Sequence, residues 1–308
     1  TPLGSESNPV ASSPLAHGPP KGPIDLHIHT TASDGALSPA DVLREAAEQG
    51  LAAIAITDHD TTAGVRAALE AGVPPSMGFL PGVEISAAPP SSCPMKGSFH
   101  LLGYGVRLDH EPLNRCLEAL QDSRRNRNPR ILARLRELGI DLELDEAAME
   151  DDRGQVGRPH IAGLLKEQGH VKSIEEAFDR YIGNHGPAYV DKYRVPVAEA
   201  IGLIRAAGGV AAAAHPGVLP LEPGPAFETM MAELREMGLR GVEVFHPEHS
   251  PERTEYFRGV ARRFGLLMTG GTDFHGDVKP GVAMGRGRGD FRVPPAAFED
   301  LLREVAGP

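Results

Sequence analysis

The sequence contains no tryptophan, and aromatic residues make up only 5% of its 308 positions. Its core must therefore rest on Ala, Val, Leu and Ile rather than on large rings. Cysteine is nearly absent, since Cys93 and Cys116 are the only two. That excludes a disulfide framework and fits a reducing, cytoplasmic setting. No apolar run approaches the ~20 residues that cross a bilayer, and the first residues lack the apolar stretch of a secretory signal. Positive charge is also scarce: 31 Lys and Arg face 42 Asp and Glu, for a net charge of −11. So acidic a chain is not built to coat extended duplex nucleic acid, which draws on many cations opposite phosphates. An anionic substrate remains admissible if a metal centre makes one pocket locally positive.

Histidine, by contrast, is plentiful, with thirteen in the chain, and apolar residues reach 41%, as in an ordinary folded protein. Residues 1–22, rich in Pro, Ser and Gly and without periodicity, are expected to form a disordered leader. From Pro23 onward, short apolar runs near 24–29, 51–57, 79–85 and 99–106 read as strands, with helices at 39–49 and 62–71. The same rhythm returns with strands at 210–214, 241–245 and 266–269 and helices at 196–207, 226–237, 252–264 and 295–305. Strands alternating with helices predict a parallel α/β architecture. Between 113 and 187 only helical spacing is legible, with the basic run SRRNRNPR at 123–130 and an acidic one at 141–152. The expected organisation is a discontinuous α/β domain, 23–112 and 188–308, interrupted by a mostly helical insertion at 113–187.

The polar residues fall where this architecture would gather them. His27 and His29 end the first strand, Asp34 follows, and Asp58 and His59 end the second. Glu84 ends the third, His100 lies on the fourth and His215 ends a later one. Glu243 and His246 flank another, and Asp273 and His275 follow the last. In a parallel α/β barrel such strand ends converge on one face. His-x-His on a strand points both rings to the same side, because the side-chain period is two. Alone that pattern is weak, but its recurrence at most strand ends is not what core packing produces. Imidazole nitrogen with carboxylate oxygen, and no thiolate, suits manganese, zinc or iron, and not a structural zinc site.

The segments IDLHIHTTASDGALSP, AITDHDT, PGVEIS, FHLLGYG, AAHPG, GVEVFHPEH and TGGTDFHG resemble, in order, the motif series of the PHP (polymerase and histidinol phosphatase) family. The resemblance runs from about 23 to 287, and GRPHIA (157–162) is similar to the branch acting on nucleoside 3′,5′-bisphosphates and short RNA 5′ ends. It implies a distorted (β/α)7 barrel carrying two or three divalent ions. His27, His29 and Asp273 would hold one ion, bridged by Glu84 to a second that His100 and His215 complete. Asp34, His59 and His275 would hold the third, while Asp58 and Glu243 orient ligands from behind.

Three such ions bring +6 against −3 from Asp34, Glu84 and Asp273, so the pocket would be positive inside an acidic protein. The expected reaction is hydrolysis of a phosphate ester by a metal-activated hydroxide. Its residues would be His215, Asp273 and His246, the leaving oxygen taking its proton from His215, His246 or a water. Arg130, Arg134, Arg158 and His160 are candidates to bind a second phosphate. The expected partner is thus a small phosphorylated substrate, a nucleotide or short RNA end, and no membrane. The competing readings are a small-metabolite phosphomonoesterase, a non-catalytic metal-binding module, and an amidohydrolase-type enzyme cleaving C–N bonds. No metal-ligand position of the motif series is lost, which weighs against the module.

Overall fold

The computed structural model describes residues 21–307 apart from Pro94, Lys96, Gly97, 143–157, Lys192, Gly289 and Asp290; the side chains of Pro159 and His160 also lie outside it. The expected leader falls almost wholly outside the described residues.

Strand β1 (Ile24–Ile28) pairs in parallel with β2 (Ala53–Ile56), and β2 with β3 (Gly78–Ala88). The connections run through helices α1 (Pro39–Glu48) and α2 (Ala63–Ala71). Helix α1 starts where the sequence directs: Ser38 accepts the Asp41 N–H and Pro occupies the first turn. Strand β4 (Phe99–Tyr104) then runs antiparallel to β3, with Glu84 opposite Leu102 and Ser86 opposite His100. This corrects the all-parallel expectation. Among the described residues no helix separates β3 from β4, and a parallel return needs a long crossover.

Helices α3 (Glu111–Arg125), α4 (Arg127–Glu137), α5 (Arg158–Glu167) and α6 (Ile174–Ala177) follow, the last continued by a π-helical turn at Phe178–Ile182. Short strand β5 (Val195–Pro196) adds to β3, and helix α7 (Val197–Ala206) leads to β6 (Val210–Ala213), which is antiparallel to β4. Parallel pairing resumes from β6 through β7 (Gly241–Phe245) to β8 (Leu267–Gly270), by way of α8 (Pro225–Glu236) and α9 (Pro251–Phe264). Helix α10 (Ala296–Ala306) closes the chain. The sheet curls until Phe274, beyond β8, meets Ile28 in a parallel bridge. The result is a mixed α/β fold around a curled sheet.

Strand β1 is buried on both faces. Ile24, Leu26 and Ile28 pack into apolar clusters with the helices, while Asp25, His27 and His29 share the other face by the period of two. A separate apolar cluster holds Ile131, Leu135, Ile161, Leu165, Ile182 and Val190. Leu113, Leu117 and Leu120 of α3 belong instead to the main cluster. Among the described residues no helix is long and apolar enough to cross a membrane.

Candidate metal centre

The curl brings the nine predicted ligand residues to one rim, where rings and carboxylates approach within hydrogen-bond distance of one another. His27 Nε2 lies 3.1 Å from His29 Nε2. Glu84 Oε2 is 3.2 and 3.1 Å from those two nitrogens, and Asp273 Oδ1 is 3.4 and 3.2 Å from them. A tetrahedral ion with bonds of the usual first-row length separates its ligands by about 3.3 Å. These four atoms are spaced to fit that requirement.

Glu84 faces two ways. Its Oε1 is 2.9 Å from His100 Nδ1 and 3.0 Å from His215 Nε2, while Oε2 also comes within 3.1 Å of His59 Nδ1. A second group forms around Asp34, whose oxygens lie 3.3 Å from His275 Nε2, 3.6 Å from His59 Nε2 and 3.5 Å from His29 Nδ1. Three sets of donors could each hold an ion: His27, His29, Glu84 and Asp273; His29, Asp34, His59 and His275; and His59, Glu84 and His100. His59 thus stands between two groups, whereas the sequence placed it in one. His100 enters from the beginning of its strand, and the reversal of β4 carries that end to the same rim as Glu84.

The rings are aimed by their outer nitrogens. His27 Nδ1 donates to Glu243 Oε1 at 3.0 Å and His275 Nδ1 to the Asp273 carbonyl at 2.8 Å, so both turn Nε2 toward the centre. Glu243 Oε2 also accepts the His215 backbone N–H at 2.6 Å. Asp58 touches no ligand ring. It accepts from Thr30 N, Thr30 Oγ1 and Ser33 Oγ at 2.7–2.9 Å, and so fixes the loop between His29 and Asp34.

The charged groups of the rim shift one another strongly. Burial pulls the His29 imidazolium down, but Asp273 and Glu84 outweigh it and raise it to about 10. Burial drives Asp34 up, yet His59 and His275 hold its carboxyl far below the usual range. Buried carboxylates here demand positive partners, the role a divalent ion takes. His59 Nδ1 and His215 Nδ1 are buried without a hydrogen-bond partner.

Backbone strain collects at the same place. Among the described residues, the non-glycine positive φ values belong to Asp60 (54°), His215 (27°) and Asp273 (52°). Each costs on the order of 1–3 kcal/mol and persists only where its surroundings over-determine it. Gly271 is needed for close approach, since a Cβ there would lie 2.3 Å from the His27 backbone nitrogen.

Arg158 and Arg134 find their partners between Phe178 and Tyr189. Arg158 donates to Ile182 O at 3.2 Å and Asn184 Oδ1 at 3.1 Å, and its guanidinium stands 5.4 Å from the Tyr189 ring centre and 5.6 Å from that of Phe178. Arg134 donates to the Tyr189 carbonyl, and Arg130 is exposed. His160 lies in α5, with its side chain outside the described residues.

Several residues of this architecture were not singled out from the sequence. Asp25 is fully buried and accepts from Thr272 N, Thr272 Oγ1, Gly285 N and His27 N, tying β1 to the loop after β8. Its place two residues before His27 was the available signal. Asp60 takes Ser86 N and Arg124. Arg127 donates to Val190 O and faces Tyr189 at 5.8 Å. His249 is buried as well: it donates to Val244 O and accepts Gly217 N–H.

Residues 25–183 match the PHP domain. A 3′,5′-nucleoside bisphosphate phosphatase of Chromobacterium violaceum is 32% identical over 92% of this chain and 96% of its own length. The 5′-3′ exoribonuclease Rnm of Escherichia coli is 33% identical over 85% of this chain and 88% of its own. A solved structure of a candidate metal-dependent phosphoesterase from Bifidobacterium adolescentis superposes with a TM-score of 0.74 at 30% identity, covering 93% of this chain and 97% of that one. The chain belongs to the PHP family.

Proposed function

We propose that this chain is a metal-dependent phosphoesterase hydrolysing a phosphate ester of a nucleotide, of the 3′,5′-bisphosphate or RNA 5′-end type. We read the curled sheet as a distorted (β/α)7 barrel formed by 23–112 and 188–308, with 113–187 as a helical insertion beside its open rim. The separate apolar cluster from Ile131 to Val190 supports a helical unit of its own, while Leu113, Leu117 and Leu120 of α3 pack with the main cluster.

Family membership and the spacing of the donor atoms support the metal reading. When bound, two or three divalent ions, manganese, zinc or iron by the donor chemistry, supply Lewis-acid charge against the phosphoryl oxygens and lower the pKa of water. This chain's residues do the rest. Glu243 and the Asp273 carbonyl hold Nδ1 of His27 and His275 and so turn their Nε2 atoms inward. Asp34, more than a third exposed and the most accessible of the ligands, marks the side from which substrate enters.

The observation that carries the nucleotide reading is the arginine cluster. Arg127, Arg134 and Arg158 converge on Tyr189 by gripping backbone carbonyls and ring faces. Burial and then the neighbouring Arg158 pull Arg127 below its ordinary value, the mark of like charges gathered together. Guanidinium forks beside an aromatic ring suit a phosphate carried next to a base. The bisphosphate phosphatase and the exoribonuclease named above are consistent with a second phosphate beside the scissile one.

The test is phosphate or nucleoside monophosphate release from adenosine 3′,5′-bisphosphate with manganese. Turnover that His29→Ala abolishes, and that Arg158→Ala weakens mainly through KM, is the expected result. Turnover on a simple monoester alone would replace it with a metabolite phosphatase. Inactivity on both, with metal bound, would indicate a non-catalytic module.

A further inference from the structure

Asp273 is held differently from the other buried acids of the rim. Asp25 and Asp58 are satisfied by backbone amides and hydroxyls, and Glu243 by a histidine ring and an amide. Asp273 turns Oδ1 to His27 and His29, but its Oδ2 receives Lys279 Nζ at 2.9 Å. A lysine beside a polycationic centre is unfavourable unless an anion comes between them. Lys279 is also the accessible partner, with its side chain 25% exposed, and Glu248 is its only other near carboxylate among the described residues, at 3.7 Å.

A second donor waits for the same oxygen. His246 Nδ1 accepts the Glu248 backbone N–H at 3.2 Å, so a neutral His246 carries its proton on Nε2. Among the described residues that buried Nε2–H has no hydrogen-bond partner, and it stands 3.9 Å from Asp273 Oδ2. This is beyond hydrogen-bond reach but short of it by only a small rotation. It also means that Nε2 offers no lone pair, so His246 is not built as a metal ligand.

We propose that Lys279 is a catalytic residue that leaves Asp273 for a phosphoryl oxygen of the substrate, while His246 takes over Asp273 Oδ2 as its positioning donor. One carboxylate oxygen then has two alternating partners: the lysine when the site is empty of substrate, and the histidine when it is engaged. An orphan buried N–H and a lysine on a ligand carboxylate are both accounted for by this exchange. The inference rests on the phosphoesterase reading but not on the nucleotide.

The test uses the full chain loaded with manganese and inorganic phosphate as the probe. Metal content is read by elemental analysis, phosphate affinity by calorimetry, and kcat and KM on whichever phosphate ester is turned over. Lys279→Ala should keep its metal and its thermal midpoint, bind phosphate about tenfold more weakly and lose roughly ten- to a hundredfold in kcat. His246→Ala should lower kcat with a smaller effect on phosphate affinity, and His246→Gln, whose amide can still donate, should recover most of that loss. Phosphate affinity and kcat within twofold of wild type in Lys279→Ala would overturn the proposal. So would loss of metal from that variant, which would reduce the lysine to a structural counter-ion. Failure on nucleotides with turnover of another ester would touch only the substrate assignment.

Discussion

Behind the rim, the buried acids Asp25 and Asp58 are held by several neutral donors each, whereas the arginines of the helical region hold backbone carbonyls and ring faces. Asp25 has four donors and Asp58 three, all buried. Arg134 and Arg158, by contrast, grip Tyr189 O, Ile182 O and Asn184 in exposed or half-exposed positions. The first arrangement fixes atoms to a fraction of an ångström, as metal geometry demands. The second leaves guanidinium forks free to turn, which suits choice of substrate more than chemistry. The two regions even keep separate apolar cores.

That contrast can be broken in four places. Glu84→Gln removes the carboxylate that touches five of the rim histidines, and should cost roughly a thousandfold or more in turnover together with bound metal; an active, metal-replete variant would show that the rim is not the catalytic centre. Ile161→Ala empties a fully buried position of the helical core and should cost about 2–5 kcal/mol. If the cores are independent, hydrogen exchange will rise across the residues of that cluster while the sheet stays protected. A uniform rise would merge the two regions into one cooperative unit. Asp25→Asn leaves four donors facing an amide, and should cost about 1–3 kcal/mol in denaturant unfolding and about 10- to 100-fold in metal affinity. Unchanged metal titration would confine Asp25 to holding the fold. Arg127→Ala should raise KM for a bisphosphate about tenfold, near 1.4 kcal/mol, with kcat and metal content unaltered. A fall in kcat instead would make the wall part of the reaction step.

The rim was legible in the sequence because its donors recur at strand ends, and a strand's period of two makes His27 and His29 neighbours without further information. Helix α1 was legible from Ser38 and Pro39, whose effects are local. The reversal of β4 was not, because an apolar run reads the same in either direction. Its cue was the lack of a helical segment between Ile85 and Phe99. Lys279 and Asp60 were overlooked for another reason: each matters through a partner distant in sequence, Asp273 through a turn and Arg124 across to α3. The role of His249 likewise depends on Gly217, which no spacing rule connects to it.

Strand β4 has one more consequence, in the order in which the molecule comes together. Its pairing with β3 joins neighbours in the chain, so it closes a shorter loop than any pairing of β4 with β6. Glu84 and His100 can therefore meet early, while Asp273 and His275 are still unmade on the ribosome. The ligands span positions 27 to 275, and the tetrahedral group with Asp273 cannot exist until nearly the last strand has been added. An ion held at that group would report that the sheet has curled all the way round.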